Sequence, residues 1–140
     1  MTGIDGRSNR NTTINTDTGL RILLAEDVKL NQVLTQRLLA RSGFQIDVVD
    51  NGTQAVEAMR TTDYDVVLMD VEMPEMDGLA ATKLIRAMTP PKSNVVIIAL
   101  TAHAMSDAEE HFKAAGMDDY VSKPINFDIL FTKLSAIAKR

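Results

Sequence analysis

Side chains that could do chemistry follow short apolar runs at four points of this sequence. Glu26 and Asp27 come directly after RILLA, and Asp70 closes the run VVLMD. Thr101 follows VVIIAL, and Lys123 follows DYVS. Carboxylates can act as nucleophiles or metal ligands, a hydroxyl can donate a hydrogen bond, and an ammonium can neutralise an anion. These acids, the hydroxyl and the ammonium are the candidates for a functional site.

Each of these groups also has an ordinary structural explanation. An acidic pair or a Thr after a strand often caps a helix or turn, and a single Lys is usually solvated. The combination favours a site, because three carboxylates within a few ångströms would repel one another unless a cation lay between them. Oxygen ligands with open positions suit Mg²⁺ or Mn²⁺. We therefore expect Glu26, Asp27 and Asp70 to face a metal ion.

The candidates converge only if the apolar runs are neighbouring strands. From Leu20 onward, short apolar runs and amphipathic stretches alternate through five strand-helix units. This alternation predicts an α/β fold, a parallel sheet with helices on both faces. The ligand site of such a sheet lies outside the carboxyl ends of its strands, which is where the candidate residues fall.

Two features of the sequence predict how the helices end and pack. Gly43 and Gly116 are placed as helix C-caps, and the capping-box spacing of Ser106 and Glu109 predicts a fourth helix that starts near Asp107. Leucines every four residues in the first helix, and apolar residues at i, i+4 and i+7 in the last, predict faces that pack on the sheet. These residues are Leu30, Leu34 and Leu38 in the first helix and Leu130, Leu134 and Ile137 in the last.

Length, composition and charge exclude several classes of protein. A chain of 140 residues suits one domain, and the absence of cysteine excludes disulfides and thiolate metal sites. The apolar run 95–100 is too short to span a membrane, and a net charge of -4 without clustered basic residues argues against binding nucleic acid. Residues 1–19 lack core-forming side chains, which predicts a flexible linker or tail before a domain over residues 20–140. We expect a cytoplasmic protein.

Four motifs, taken in order, resemble the receiver domain of two-component response regulators. They are Glu26-Asp27 after the first strand, LMDVEMPEMDG after the third, ALTAHA after the fourth and DDYVSKPI at the fifth. The resemblance covers about residues 20–140 and implies a doubly wound, flavodoxin-like sheet of five parallel strands in the order 2-1-3-4-5.

The resemblance implies that Asp70 is the phosphoacceptor. Its phosphoryl group would come from a phosphohistidine on a partner histidine kinase or histidine phosphotransfer domain. The metal ion, Mg²⁺ or Mn²⁺, would be bound by Asp27, Asp70 and the backbone carbonyl of Glu72, with Glu26 acting through water.

The resemblance also implies a switch. Lys123 would pair with Asp70 and then with the phosphoryl group, to which Thr101 would donate its hydroxyl. Tyr120 matches the family's switch aromatic, which turns inward as the hydroxyl moves and so changes the face formed by helix 4, strand 5 and helix 5. The bond between Lys123 and Pro124 falls where the family has a cis peptide.

Two further positions could tune the lifetime of the phosphorylated state. Glu72 and His103 lie two residues beyond Asp70 and Thr101, where they would flank the path of a hydrolytic water. We otherwise expect a surface position for His103 and for His111, the second histidine.

Val28 and two sequence segments indicate how a phosphodonor could dock and what kind of protein the domain belongs to. Val28 stands where many relatives have a polar residue, and it would leave apolar surface at the rim of the site, where a phosphodonor helix could pack. VKLNQVL and GMDDYVSKPI are most similar to receivers fused to hybrid histidine kinases. We therefore expect the C-terminal receiver of a hybrid kinase; a free-standing regulator is the other possibility.

Two other classes of function are weighed against this one. A haloacid-dehalogenase-like phosphatase also forms an aspartyl phosphate, but it uses a second Asp where this chain has Glu72. A phosphorylation-independent binding module would lack Asp70, Asp27, Thr101 or Lys123, and all four are present. The expectation is a signalling module that catalyses its own phosphorylation and dephosphorylation and is not a metabolic enzyme. The sequence leaves the cognate kinase and the oligomeric state open.

Overall fold

A computed structural model describes residues 19–102 and 106–139 of the chain. Strands and helices alternate along these residues, and a turn of 3₁₀ helix, Lys92–Asn94, precedes the fourth strand. Of the predicted tail, residues 1–18 lie outside the described part. The elements are β1 (Arg21–Ala25), α1 (Lys29–Arg41), β2 (Gln45–Val49), α2 (Gly52–Thr61), β3 (Val66–Asp70), α3 (Gly78–Arg86), β4 (Val96–Thr101), α4 (Ser106–Ala115), β5 (Asp119–Ser122) and α5 (Phe127–Ala138).

The strands form one parallel sheet in the order β2-β1-β3-β4-β5, which confirms the predicted fold. The central strand β3 is buried along its whole length. Ala25 pairs with Met69, and Thr101 pairs with Ser122. Because the last residues of these strands are in register, Asp70 and the residues that follow the other strands meet at one edge of the sheet.

Helices cover the sheet on both faces. In β3, Val66 and Leu68 face α1 and α5, whereas Val67 and Met69 face α2, α3 and α4. This alternation follows from the two-residue repeat of a strand. In α5 the prediction is confirmed, because Leu130 and Leu134 are fully buried and Ile137 packs against them.

The packing of α1 differs from the prediction. Leu30 and Leu34 are 66% and 49% exposed, so the prediction that they pack on the sheet is wrong. The buried residues of α1 are Gln32, Thr35 and Leu39. A polar residue can occupy this face because Gln32 is hydrogen-bonded inside the protein, and the leucine repeat is consequently turned outward.

The ends of the helices agree with the sequence. Gly43 and Gly116 follow α1 and α4 with φ of 93° and 106°, the left-handed conformation that ends a helix. Helix α4 begins at Ser106, one residue before the predicted start. Within the described part of the chain, every helix is too short or too polar to span a membrane.

The side chain of Arg86 ties the end of α3 to its neighbours. Its Nε donates to the carbonyl of Gly116 at 2.7 Å, and Nη1 donates to the carbonyls of Ser93 and Val95 at 2.8 and 2.6 Å. Nη2 donates to the carboxylate of Asp118 at 2.8 Å. These bonds hold the C-terminal end of α4 against the segment that leads into β4.

Replacing Arg86 with methionine should lower the free energy of unfolding by about 2–4 kcal/mol, because it leaves three partly buried carbonyls without this donor and removes the ion pair with Asp118. Arg60→Met is the matched control, since Arg60 is 60% exposed and pairs with Glu57 on the surface; its loss should be within about 0.5 kcal/mol. Urea unfolding followed by circular dichroism measures both. Equal losses for the two variants would contradict the role given to Arg86.

Candidate functional site

Three predicted ligands lie together at the carboxyl ends of β1 and β3. One carboxylate oxygen from each of Glu26, Asp27 and Asp70 lies within 4.8 Å of the others. Glu26 and Asp70 are 1% and 4% exposed, whereas Asp27 faces solvent. Two carboxylates of the cluster are therefore buried, and the third is exposed to solvent.

The ammonium of Lys123 lies between the two buried acids. Its Nζ is 2.8 Å from Oδ2 of Asp70 and 3.1 Å from Oε1 of Glu26. The other oxygen of Glu26 accepts from the backbone N–H of Val28 at 2.9 Å, and the other oxygen of Asp70 accepts from that of Glu72 at 3.2 Å. Both oxygens of each buried carboxylate are therefore held by protein donors.

The end of β5 carries Lys123 toward this cluster. The backbone N–H of Lys123 donates to the carbonyl of Thr101 at 2.7 Å. The peptide bond between Lys123 and Pro124 is cis, as the resemblance implied. Thr101 is buried at the end of β4. The cleft beside the acids is lined by Asp27, Val28, Asp70, Val71, Glu72, Thr101, Ala102 and Lys123.

The electrostatics of the buried acids are unbalanced. Burial raises the pKa of Asp70 from 3.8 to about 6, and the negative charge of Glu26 contributes to this increase. The contact with Lys123 lowers the pKa of Asp70 and offsets only part of the increase. Burial lowers the pKa of Lys123, but the carboxylates of Asp70 and Glu26 together raise it above its usual value. The ionised Asp70 therefore destabilises the folded protein at neutral pH.

The other predicted residues lie around the cleft. Tyr120 on β5 is partly buried, with its ring centroid 6.3 Å from that of Phe112 on α4. His111 is exposed on α4, as predicted. His103 lies outside the described residues.

An apolar surface borders the site. Val28 is 47% exposed at the start of α1, and Leu30 and Leu34 extend the exposed apolar surface along the helix. A groove between α1 and the segment before α5 adjoins this surface and reaches inward to the site. It is lined by Glu26, Asn31, Leu34, Thr35, Lys123, Pro124, Ile125 and Phe127.

The sequence analysis missed a contact beside the acids. Gln32, on the buried face of α1, donates hydrogen bonds to the backbone of Glu26 and to the carboxylate of Asp50. Its only signal in the sequence is a polar residue on a helix face that turns inward. The leucine repeat predicted that this face of α1 is exposed to solvent. The burial of Gln32 could therefore be recognised only from the orientation of α1 in the structure.

Comparison with protein families gives one match over most of the chain. A family model described as the response regulator receiver domain matches residues 22–135. A similar curated protein is the sensor protein GacS of Pseudomonas syringae pv. syringae, 44% identical over 108 residues, which are 76% of this chain and 12% of that protein. The chain spans 7% to 14% of the length of the first curated relatives, which are described as histidine kinases or sensor proteins.

Solved structures with the same fold include receiver domains. One is the receiver domain of the sensor histidine kinase PA1611 from Pseudomonas aeruginosa PAO1, described with a magnesium ion coordinated in its active site cleft. It is 37% identical with a TM-score of 0.79, and the match covers 86% of this chain and 98% of that one. Another is the receiver domain of Ssk1 in complex with the histidine phosphotransfer protein Ypd1 of Saccharomyces cerevisiae, 25% identical with a TM-score of 0.77, covering 85% and 88% of the two chains.

The unbalanced charge at Asp70 predicts how stability depends on pH without metal. In EDTA at pH 7.5, Asp70→Asn should raise the melting temperature by several degrees, a gain on the order of 1 kcal/mol, because it removes a buried charge and keeps the shape. The folded pKa of about 6 lies above the ordinary 3.8, so the wild type gains stability by taking up a proton as the pH falls through 6. The advantage of Asp70→Asn should therefore shrink between pH 7.5 and pH 5.

Thermal melts over this pH range, with Asp77→Asn as control, measure the effect. Asp77 is exposed and caps α3 through the N–H of Ala80, a contact that asparagine preserves. A destabilising Asp70→Asn at pH 7.5, or an advantage that does not change with pH, would contradict the assigned charge imbalance.

Proposed function

Because this chain belongs to the family of response regulator receiver domains, we propose that its Asp70 accepts a phosphoryl group from the phosphohistidine of a partner protein. The observation that carries the proposal is the buried Asp70 carboxylate, held 2.8 Å from the ammonium of Lys123 within the acidic cluster. Receiver domains are modules of two-component and phosphorelay signalling, so the product is a signalling state of this chain.

The transfer needs a nucleophile and neutralisation of charge. An oxygen of Asp70 attacks phosphorus, and a P–O bond forms as the P–N bond to the imidazole breaks, with its electron pair leaving on the ring nitrogen. Lys123, already beside the acceptor, neutralises charge on the arriving phosphoryl group. Thr101, at the end of β4, donates its hydroxyl to a phosphoryl oxygen. Hydrolysis by water later releases the phosphoryl group as inorganic phosphate and returns Asp70 to the carboxylate.

The acidic cluster fits a divalent cation that prefers oxygen ligands. Three carboxylate oxygens within 4.8 Å of one another offer a hard, negatively charged site. We assign Asp27, Asp70 and the backbone carbonyl of Glu72 as direct ligands, and Glu26 as a ligand through water, the arrangement that membership of the receiver family implies. Bound Mg²⁺ would neutralise and orient the phosphoryl oxygens. The magnesium described for the PA1611 receiver supports this ion, and Mn²⁺ would suit the same ligands.

Phosphorylation is proposed to switch the face formed by α4, β5 and α5. As the hydroxyl of Thr101 moves toward the phosphoryl group, the ring of Tyr120 turns inward and repacks against α4. The partial burial of Tyr120 beside Phe112 supports this assignment, since the ring already lies at the junction of β5 and α4.

The exposed apolar surface of α1 is the proposed docking site for the phosphodonor. Val28, Leu30 and Leu34 form an apolar stripe beside the cleft, which suits the apolar face of a helix from a histidine kinase or a histidine phosphotransfer domain. The complex of the Ssk1 receiver with Ypd1 supports a phosphotransfer partner. The net charge of -4 gives no support to nucleic acid as a partner of this chain.

We assign residues 20–140 to the receiver domain and residues 1–19 to a linker. The similarity to segments of long histidine kinases supports a place within a hybrid histidine kinase. Because phosphorelay chemistry depends on a kinase that uses ATP, we place the domain in the cytoplasm and not in a membrane.

Acetyl phosphate with Mg²⁺ should add one phosphoryl group to the wild type. Asp70→Asn should abolish the labelling, because an amide oxygen is a poor nucleophile, whereas Asp77→Asn should keep it. Intact-mass spectrometry detects the addition, which EDTA should prevent. Equal labelling of Asp70→Asn and the wild type would show that the acceptor lies elsewhere and would overturn the proposed function.

Leu34→Glu should slow transfer from a phosphorylated histidine phosphotransfer protein that labels the wild type, by about tenfold, since a charge in an apolar contact costs at least ~1.4 kcal/mol. Labelling by acetyl phosphate should be unchanged. Leu84→Glu is the control, because Leu84 is 44% exposed on α3, on the other face of the sheet. Equal slowing by both variants would contradict docking on α1.

Substitutions at Glu72 and His103 should change the rate of dephosphorylation and leave Mg²⁺ affinity largely intact, because we propose from their positions, two residues beyond Asp70 and Thr101, that they flank the path of the hydrolytic water. The decay of phosphorylated protein after removal of acetyl phosphate measures this rate. Unchanged decay in both Glu72→Ala and His103→Ala would exclude the two residues from control of the lifetime.

A further inference from the structure

Gln32 is a buried polar residue beside the acidic cluster. It is 5% exposed, and its Nε2 donates to the backbone carbonyl of Glu26 and to Oδ1 of Asp50, both at 2.6 Å. Both protons of the side-chain amide are therefore used. The proposed chemistry gives this residue no part, although it contacts the backbone of one member of the cluster.

The contact with Glu26 fixes the peptide unit that leads to Asp27. The N–H of Glu26 donates to the carbonyl of Val49 at 3.1 Å, which continues the pairing of β1 with β2 for one residue. Its carbonyl points beyond the strand and is held by Gln32. Because the peptide bond is planar, fixing this carbonyl also fixes the N–H and Cα of Asp27, and so the direction in which its side chain leaves the backbone.

The contact with Asp50 anchors Gln32 at its far side. The N–H of Asp50 donates to Oε1 of Gln54 at 2.8 Å, and the N–H of Gln54 donates to the side chain of Asn51, which caps α2. Asp50 is therefore held at the start of α2. Through this link, Gln32 joins the Glu26-Asp27 peptide to two helices.

We propose that Gln32 is a positioning residue for the metal site, which holds the Glu26-Asp27 peptide so that the exposed carboxylate of Asp27 stays with the two buried ones. This inference rests on the proposed function, since it requires that the cluster bind Mg²⁺. Residues that orient metal ligands through hydrogen bonds typically change metal affinity ~10- to 100-fold when they are replaced. A residue that only completes the packing of α1 would change stability and leave the affinity of the folded protein unaltered.

Calorimetric titration with Mg²⁺ tests the inference. Gln32→Leu keeps the size of the side chain and removes its donors, so its Kd for Mg²⁺ should rise by about tenfold or more. Gln36→Leu is the matched control, because Gln36 lies one turn further along α1 and is exposed; its Kd should equal that of the wild type. The melting temperature in EDTA, measured alongside, gives the change in stability separately.

A second pair of variants tests the same link from its other end, without a change inside α1. Asp50→Asn removes a charge and keeps an acceptor for Gln32, whereas Asp50→Ala removes both. Asp50 is exposed, so both variants should fold. Asp50→Ala should weaken Mg²⁺ binding clearly more than Asp50→Asn does. Equal affinities of the two variants would show that the acceptor that residue 50 offers to Gln32 has no effect on the metal site, and would overturn the inference.

The outcomes distinguish the two proposals. If the wild type binds no Mg²⁺, the proposed metal site fails and the positioning role fails with it. If the wild type binds Mg²⁺ and folded Gln32→Leu binds it equally well, the positioning role alone is overturned and the proposed function stands. If Gln32→Leu does not fold, the comparison of Asp50→Asn with Asp50→Ala decides.

Discussion

The structure depends on one ammonium ion placed between two buried carboxylates. Lys123 contacts Asp70 at 2.8 Å and Glu26 at 3.1 Å, and a third acid, Asp27, closes the cluster on its solvent side. A single positive charge does not balance these acids, which is why burial leaves the pKa of Asp70 near 6. The site therefore attracts groups that bring positive charge or accept the carboxylate as a nucleophile, and both belong to the proposed phosphoryl transfer.

The fold holds these repelling groups in place through backbone contacts. Helix α3 starts directly behind Asp70. This close approach requires glycine at position 78, because a side chain there would collide with the backbone oxygen of Asp70. The N–H of Gly78 donates to the carbonyl of Val71 at 2.8 Å, and that of Gly52 donates to the carbonyl of Met76 at 3.1 Å. The loop after β3 is thus fixed to the starts of α2 and α3. A rigid backbone lets the protein keep acids together that would otherwise move apart.

The sequence predicted most of this arrangement because the information is local. The alternation of apolar runs with amphipathic stretches predicted the parallel sheet. The polar residues at the ends of the apolar runs were the predicted site residues, and the structure brings them together at one edge of the sheet. The orientation of α1 could not be predicted this way, since Leu30 and Leu34 repeat as a buried face would. The buried face is instead defined by Gln32, which contacts the backbone of Glu26 before the helix and the carboxylate of Asp50, 18 positions away, only in the folded protein. The contact of Lys123 with Glu26 across 97 positions is of the same kind.

The most direct test of this charge imbalance is the titration of the Asp70 carboxyl group itself. Carboxyl carbon NMR of metal-free protein, with the resonance assigned by its loss in Asp70→Asn, follows ionisation at this one residue. A midpoint near pH 6 is the expected result, and Lys123→Met should move it higher because the compensating ammonium is removed. A midpoint at or below the ordinary value of 3.8 would show that Lys123 fully balances the acids and would contradict the central claim.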